Sequence, residues 1–102
     1  MEQYAEELKT LFGRIPRRHS LENVKEINSV ANEYENILIK IEALNDDYAK
    51  SVAGLFSQLD LIRAKIKMST DNKASKKNKD VYFDEASGTL KDNIQTLLDK
   101  LI

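Results

Sequence analysis

The chain has 102 residues, of which 32% are charged and 41% hydrophobic, a net charge of -1, three glycines, one proline and no cysteine. This length fits one small domain, and the composition is typical of a helix-rich protein rather than a disordered chain or a turn-rich β-sandwich. The lack of cysteine excludes a disulfide framework and a thiolate metal site, and no apolar run reaches the ~18 residues that cross a membrane. Because the acidic, amphipathic start is unlike a signal peptide, we expect an intracellular protein, cytoplasmic or nuclear.

A short amphipathic helix is predicted over residues 3–13, where apolar side chains recur at spacings of four and three. The basic connector GRIPRRHS (13–20) follows it, and its proline blocks continuation of the helix. Ser20 suits the N-cap of the next helix. It also ends the stretch RRHS, which resembles the recognition pattern of basophilic kinases, so Ser20 is a candidate phosphosite.

One long apolar stripe runs from Val24 to Ile66, with its positions at alternating steps of three and four residues. This spacing is that of one helix face and predicts a long helix over about residues 20–68. We expect the stripe and the flanking Phe56 to pack against a partner in a coiled coil or helical bundle. The candidate interface residues are Val24, Ile27, Tyr34, Leu38, Ile41, Asn45, Tyr48, Val52, Leu55, Phe56, Leu59, Ile62 and Ile66.

The stretch Asn45-Asp46-Asp47 decides between two architectures. Asparagine followed by two acids is a good N-cap and first turn, which would make this segment a helical hairpin turned at 44–47. The stripe keeps its phase through Asn45, however, and neither glycine nor proline occurs there to stop a helix. The apolar flank of the stripe also shifts between its halves by about the drift expected of a straight helix. We therefore expect a continuous or gently kinked rod, in which Asn45 is a candidate register-setting residue, and keep as the alternative the hairpin, in which Asn45 is a cap or turn residue.

The last third of the chain is predicted to hold a loop and a helix. The segment STDNKASKKNKD (69–80) has no large apolar side chain and is rich in serine, asparagine and lysine, so we expect a mobile polar loop. Apolar residues from Leu90 to Leu101 then recur at spacings of four and three, which predicts a C-terminal helix over 88–102. The predicted fold class is therefore all-α, as one domain that forms a coiled-coil or helical-bundle subunit.

Positive charge is concentrated in two segments, 14–18 and 73–79, although the chain is slightly acidic overall. Such clusters can contact phosphates or an acidic partner protein. The candidate contacts are Arg14, Arg17, Arg18, Lys73, Lys76, Lys77 and Lys79. Nucleic acid binding is the weaker prediction, because the net charge is negative and no aromatic side chain is interleaved with either cluster.

No catalytic or metal-binding pattern stands out in the sequence. The single histidine, His19, lies in the basic connector, and no cluster of cysteine, histidine and aspartate has metal-ligand spacing. A glycine-rich phosphate loop is missing as well. The paired acids Asp46–Asp47 and Asp84–Glu85 are adjacent, so their side chains would point in different directions on a helix. We expect neither an enzyme nor a cofactor-binding protein.

Three functions are compatible with these patterns. The leading hypothesis is a non-enzymatic interaction subunit or adaptor, which contributes its long amphipathic helix to a coiled coil or bundle in a homo-oligomer or hetero-complex. The first alternative is a compact four-helix module that binds one partner, as a secretion chaperone or a bacteriocin-immunity-like protein does. The second alternative is a nucleic-acid-associated protein that uses the basic segments. None of the three requires membrane insertion.

Overall fold

Four α-helices dominate residues 1–101, the part of the chain that the computed structural model describes. They are α1 (Glu2–Arg14), α2 (Leu21–Glu42), α3 (Asp46–Met68) and α4 (Lys76–Leu101). Short connections make successive helices antiparallel, and the four pack as a bundle with extents of 44 × 22 × 17 Å. The all-α prediction is thereby confirmed. The predicted end of the last helix at residue 102 lies outside the described residues.

The first helix and the start of the second agree with the sequence pattern. The predicted helix over 3–13 is α1, which extends one residue further at each end. Ser20 caps α2, because its Oγ accepts a hydrogen bond from the backbone N–H of Asn23 at 3.0 Å. This contact satisfies one of the N–H groups that the start of a helix leaves without a partner.

The predicted continuous rod is wrong, because the chain turns between α2 and α3 as the hairpin alternative required. Asn45 has an extended backbone, with φ -170° and ψ 172°, and its Oδ1 accepts a hydrogen bond from the Tyr48 N–H at 2.9 Å. Asp46 and Asp47 then occupy the first turn of α3, where the helix dipole favours acidic side chains. The apolar members of the stripe on both helices face one core. Asn45 is an exposed cap rather than a register-setting residue.

The polar segment is shorter than predicted, and the last helix begins earlier. Only residues 69–75 lie between α3 and α4, whose first residue is Lys76 rather than a residue near 88. Gly88 lies inside this helix, although glycine in a helix interior costs about 1 kcal/mol relative to alanine. Phe83 and Ala86 are buried in the core on the same helix. Their packing offsets the cost, since packing supplies most of the stability of a helix in a protein.

Most of the side chains predicted to contact a partner lie in or against the core of this chain. Val24, Tyr48 and Phe56 are partly buried against that core, and Asn45 is exposed at the turn. The other nine are buried, namely Ile27, Tyr34, Leu38, Ile41, Val52, Leu55, Leu59, Ile62 and Ile66. Because α1 and α4 supply the facing side chains, the stripe is covered without a second molecule.

A buried polar network crosses the middle of the bundle. The Tyr34 hydroxyl of α2 donates a hydrogen bond to Asn93 Oδ1 of α4 at 2.9 Å, and the Asn93 amide donates to Gln58 Oε1 of α3. Tyr34 and Asn93 are almost completely buried. Burial raises the pKa of the Tyr34 hydroxyl, because the phenolate would lose its hydration. The network fixes the relative positions of three helices.

Candidate binding cleft at the basic end of the bundle

Two basic segments that are distant in the sequence meet at one end of the bundle. The connector between α1 and α2 and the loop before α4 both lie at this end, because each joins antiparallel helices. Arg17 and Arg18 from the connector and Lys76 and Lys77 from α4 line one open cleft, with a volume of about 890 Å³. We call this site the basic cleft. It unites four of the seven basic residues that the sequence indicated.

Hydrogen bonds hold the connector against α2 and α4. The Pro16 carbonyl accepts a hydrogen bond from Ser87 Oγ of α4 at 2.7 Å. The Arg18 carbonyl accepts one from the side-chain amide of Asn23 in α2, also at 2.7 Å. Arg17 and Arg18 are exposed on this anchored backbone. Less ordering of the main chain is therefore needed when a ligand binds.

The first turn of α4 carries positive charges, which are unfavourable at the start of a helix. Ser75 Oγ accepts a hydrogen bond from the Asn78 N–H at 3.1 Å, which is an ordinary N-cap. Lys76 and Lys77 follow it with no acidic residue in the turn, although the positive end of a helix dipole favours acids there. The two lysines and the dipole consequently add to a positive potential at the mouth of the cleft.

The basic cleft also contains carboxylates and an apolar contact. Asp80 and Asp84 lie one turn apart on α4, and Val81 between them is 44% exposed. His19 Nδ1 lies 3.6 Å from Asp80 Oδ1, and the His19 ring meets Phe83 edge-on with centroids 5.6 Å apart. Four cations therefore face two carboxylates around a small apolar surface. This mixture suits a protein segment better than a uniform phosphate backbone.

Three of the predicted basic contacts lie outside the cleft. Arg14 Nε donates to Glu26 Oε1 at 2.8 Å, and Arg14 Nη1 donates to Glu33 Oε2 at 2.7 Å. These hydrogen bonds raise the pKa of the Arg14 guanidinium. The Arg14 side chain therefore joins α1 to α2, and its contact with a partner stays a prediction. Lys73 and Lys79 do not line the cleft either.

The sequence indicated the cations of the cleft but not its other lining residues, because the last helix was predicted to begin at residue 88. Once the helix begins at Lys76, positions 77, 80, 81 and 84 follow the spacing of one helical face. The same correction would have predicted that Asp80, Val81 and Asp84 accompany the lysines.

The structure and the comparisons with known proteins were also searched for a metal site, a membrane-spanning helix and a related protein. Within residues 1–101, no three histidine, aspartate or glutamate side chains are grouped so as to hold a metal ion. None of the helices over the same residues has an apolar stretch sufficient to cross a bilayer. The chain matches no protein-family model, and comparisons with curated proteins and with solved structures find no significant match.

Proposed function

We propose that this protein is a compact four-helix binding module that docks an acidic segment of a partner protein in the basic cleft. The observation that carries the proposal is the meeting of Arg17 and Arg18 with Lys76 and Lys77 around one cleft. An intracellular setting is part of the proposal, since the chain has no cysteine. A role that lends the long apolar stripe to another subunit is less well supported, because the stripe is buried within the bundle.

The position of the lysines supports a binding role. A helix start that served stability alone would carry acids, as α3 does with Asp46 and Asp47. Lys76 and Lys77 instead weaken the start of α4 by ~0.3–1 kcal/mol each at low ionic strength. Such departures from local preference are expected where a surface serves binding.

An acidic protein segment suits the cleft better than a nucleic acid. Asp80 and Asp84 would repel a continuous phosphate backbone, whereas a peptide can place its acids against the cations and avoid the carboxylates. Val81 offers a contact for one apolar side chain of such a peptide. The lining includes neither tyrosine nor phenylalanine, and its one aromatic ring, that of His19, already packs edge-on against Phe83.

We also propose that the role is non-enzymatic. His19 and Asp80 form the one histidine–carboxylate pair of the cleft, at 3.6 Å. No serine, cysteine or threonine lines the cleft beside them to act as a nucleophile. The chemistry of the lining is therefore that of ionic and apolar recognition.

Fluorescence anisotropy with labelled probes tests the proposal. The first probe is a peptide of about ten glutamates with one central leucine, and the comparison probes are a lysine peptide of the same length and short single- and double-stranded DNA. We expect saturable binding of the acidic peptide that weakens as salt rises from ~50 to ~300 mM, because the contacts are exposed charges. Tighter binding of DNA than of the acidic peptide would favour the nucleic acid alternative and contradict the proposal.

A pair of double variants with equal charge change locates the binding. Arg17→Glu/Lys76→Glu should abolish measurable binding of the acidic peptide, since it reverses one charge from each segment of the cleft. Lys40→Glu/Lys50→Glu changes two exposed lysines outside the cleft and should bind as the wild type does. Equal losses in both variants would mean that net charge, and not the cleft, controls binding.

A further inference from the structure

The connector before α2 ends in a serine that the proposed binding role does not use. Residues 17–21 read Arg-Arg-His-Ser-Leu. Arginines three and two residues before a serine, with an apolar residue directly after it, form the substrate pattern of arginine-directed serine kinases, whose acidic side chains pair with the two guanidinium groups. Ser20 is the one serine or threonine of the sequence that has basic residues at both of these positions. The pattern therefore distinguishes Ser20 from every other hydroxyl side chain of this kind.

The fold exposes the side chains that such a kinase would contact. Arg17, Arg18 and Ser20 are exposed. Leu21 is 82% exposed, more than any other large hydrophobic side chain of residues 1–101. Because Leu21 takes no part in the core, it can enter a pocket of an enzyme without disturbing the bundle.

The backbone of this segment is also suited to an enzyme groove. Residues 15–20 lie between α1 and α2 and belong to neither helix. Ser20 itself is extended, with φ -160° and ψ 164°. In extended chain, successive side chains point in different directions and can reach separate pockets. A kinase can therefore bind residues 17–20 without first unfolding a helix.

We propose that Ser20 is phosphorylated by an arginine-directed serine kinase, and that the phosphate weakens binding of the acidic partner in the basic cleft. In the reaction, Ser20 Oγ forms a bond to the γ-phosphorus of ATP, the bond from that phosphorus to the β–γ bridging oxygen breaks, and ADP leaves with the electron pair. The hydroxyl proton passes to the catalytic aspartate of the kinase. The effect on the cleft rests on the proposed function, whereas the modification itself does not.

A phosphate on Ser20 lies beside the connector side of the basic cleft. Arg17, Arg18 and His19 line the cleft and directly precede Ser20. Three residues of extended chain span at most about 10 Å. This length is close to the Debye length of about 8 Å at physiological salt, so screening is incomplete. A charge of about -2 therefore lowers the positive potential that attracts an acidic peptide.

The same phosphate is compatible with the folded bundle. Ser20 Oγ accepts the Asn23 N–H at 3.0 Å as the N-cap of α2, and a phosphate oxygen can accept that hydrogen bond in its place. The helix dipole favours a negative charge at this position and opposes the repulsion from Glu22 in the first turn. The modification should therefore change binding while α2 stays folded.

A phosphorylation assay on the full chain tests the modification. The chain is incubated with ATP and the catalytic subunit of cyclic-AMP-dependent protein kinase, an arginine-directed enzyme, and mass spectrometry locates the phosphate. We expect a single phosphate, on Ser20. Ser20→Ala should accept none, whereas Ser75→Ala, which removes the exposed N-cap serine of α4, should accept as much as the wild type. No phosphate on the wild type, or equal yield in Ser20→Ala, would overturn the proposal.

A pair of leucine variants tests recognition through the exposed segment. Leu21→Asp should lower the kcat/KM of phosphorylation about tenfold, because the kinase pocket for an apolar side chain is left unfilled. Leu61→Asp makes the same change at another exposed leucine and should be phosphorylated as the wild type is. Circular dichroism confirms that both variants are folded. Equal kcat/KM values for the two variants would contradict recognition of residues 17–21 as one segment.

Binding of the acidic peptide by the phosphorylated chain tests the effect on the cleft. The dissociation constant should rise at least about fivefold, and treatment with a phosphatase should restore it. Equal affinities before and after phosphorylation would overturn the effect on the cleft. An unmodified chain that does not bind the peptide would contradict the proposed function and with it this effect, while phosphate on Ser20 would still confirm the modification.

Discussion

Helices α3 and α4 begin in opposite ways, at opposite ends of the bundle. At the turn end, Asn45 caps α3 and two aspartates follow. At the basic end, Ser75 caps α4 and Lys76 and Lys77 follow. The start of α3 therefore satisfies both the cap and the dipole preference of a helix, while the start of α4 satisfies the cap alone. The start of α2, also at the basic end, resembles that of α3, with Ser20 as its cap and Glu22 in its first turn. The difference separates a helix start whose charges stabilise the helix from one whose charges are exposed and do not.

The arginines show the same contrast between the body of the bundle and its basic end. Arg14 pairs with Glu26 and Glu33, and Arg63 Nη2 lies 3.2 Å from Glu35 Oε1. These ion pairs join neighbouring helices. Arg17 and Arg18, by contrast, form no ion pair within residues 1–101 and line the cleft. Arg14 and Arg63 hold helices together, whereas Arg17 and Arg18 face solvent.

The largest expected effect comes from removing both halves of the basic cleft. Arg17→Ala/Arg18→Ala and Lys76→Ala/Lys77→Ala should each weaken binding of the acidic peptide about tenfold, which is about 1.4 kcal/mol. The quadruple variant should lose about a hundredfold, because both segments contact one ligand. Titration calorimetry measures the three affinities. A loss confined to one pair of residues would show that the segments do not act as one site.

Removing the buried Tyr34 hydroxyl should lower the free energy of unfolding without changing the structure of either end of the bundle. Tyr34→Phe leaves Asn93 Oδ1 buried without its hydrogen bond from α2. We expect a loss of about 1–3 kcal/mol in the free energy of unfolding. Urea denaturation measures the loss. The peptide affinity of the folded variant should equal that of the wild type, and a change in that affinity would link the cleft to the core.

The caps at the two ends should be equivalent in energy. Asn45→Ala and Ser75→Ala each remove an oxygen that accepts a backbone N–H in the first turn of a helix. Each should cost about 1 kcal/mol of stability. Thermal denaturation compares the two variants directly. If Asn45→Leu instead strengthened association, a seam position in a longer helix would account for Asn45 better than the cap does.

The smallest expected effects are opposite in sign at the two helix starts. Lys76→Glu should raise the free energy of unfolding by ~0.3–1 kcal/mol, and Asp46→Lys should lower it by a similar amount. Both changes should shrink as salt screens the helix dipole. Urea titrations at low and high ionic strength measure them. A stabilising effect of Lys76 itself would remove the contrast between the two ends.

The sequence predicted the helical class and the core more closely than it predicted the topology. Periodicity identifies which face of a helix is apolar, and nearly all members of the stripe are buried as a result. It does not identify which element covers that face. The phase of the stripe is compatible with one rod and with two helices that share a core. The turn is identified by the cap at Asn45 in the structure.

The site was predicted in part for a similar reason. Charge clusters are visible in the sequence, and both contribute to the basic cleft. Their meeting depends on the antiparallel order of the helices and on the start of α4 at Lys76, which the apolar repeat from Leu90 did not indicate. The ion pairs of Arg14 could not be predicted from the sequence either. Nothing in its local sequence distinguishes it from Arg17, yet two glutamates of α2 pair with it once the helices pack.

A titration followed by two-dimensional ¹H–¹⁵N NMR tests the contrast between the ends most directly. The labelled wild type is mixed with increasing amounts of the acidic peptide, and the shift of each backbone amide signal is recorded. We predict that the largest shifts fall in the connector 17–19 and in the first turns of α4, while residues 43–47 at the turn end keep their positions. Shifts of equal size at both ends, or none at the basic end, would contradict a binding role for the basic cleft.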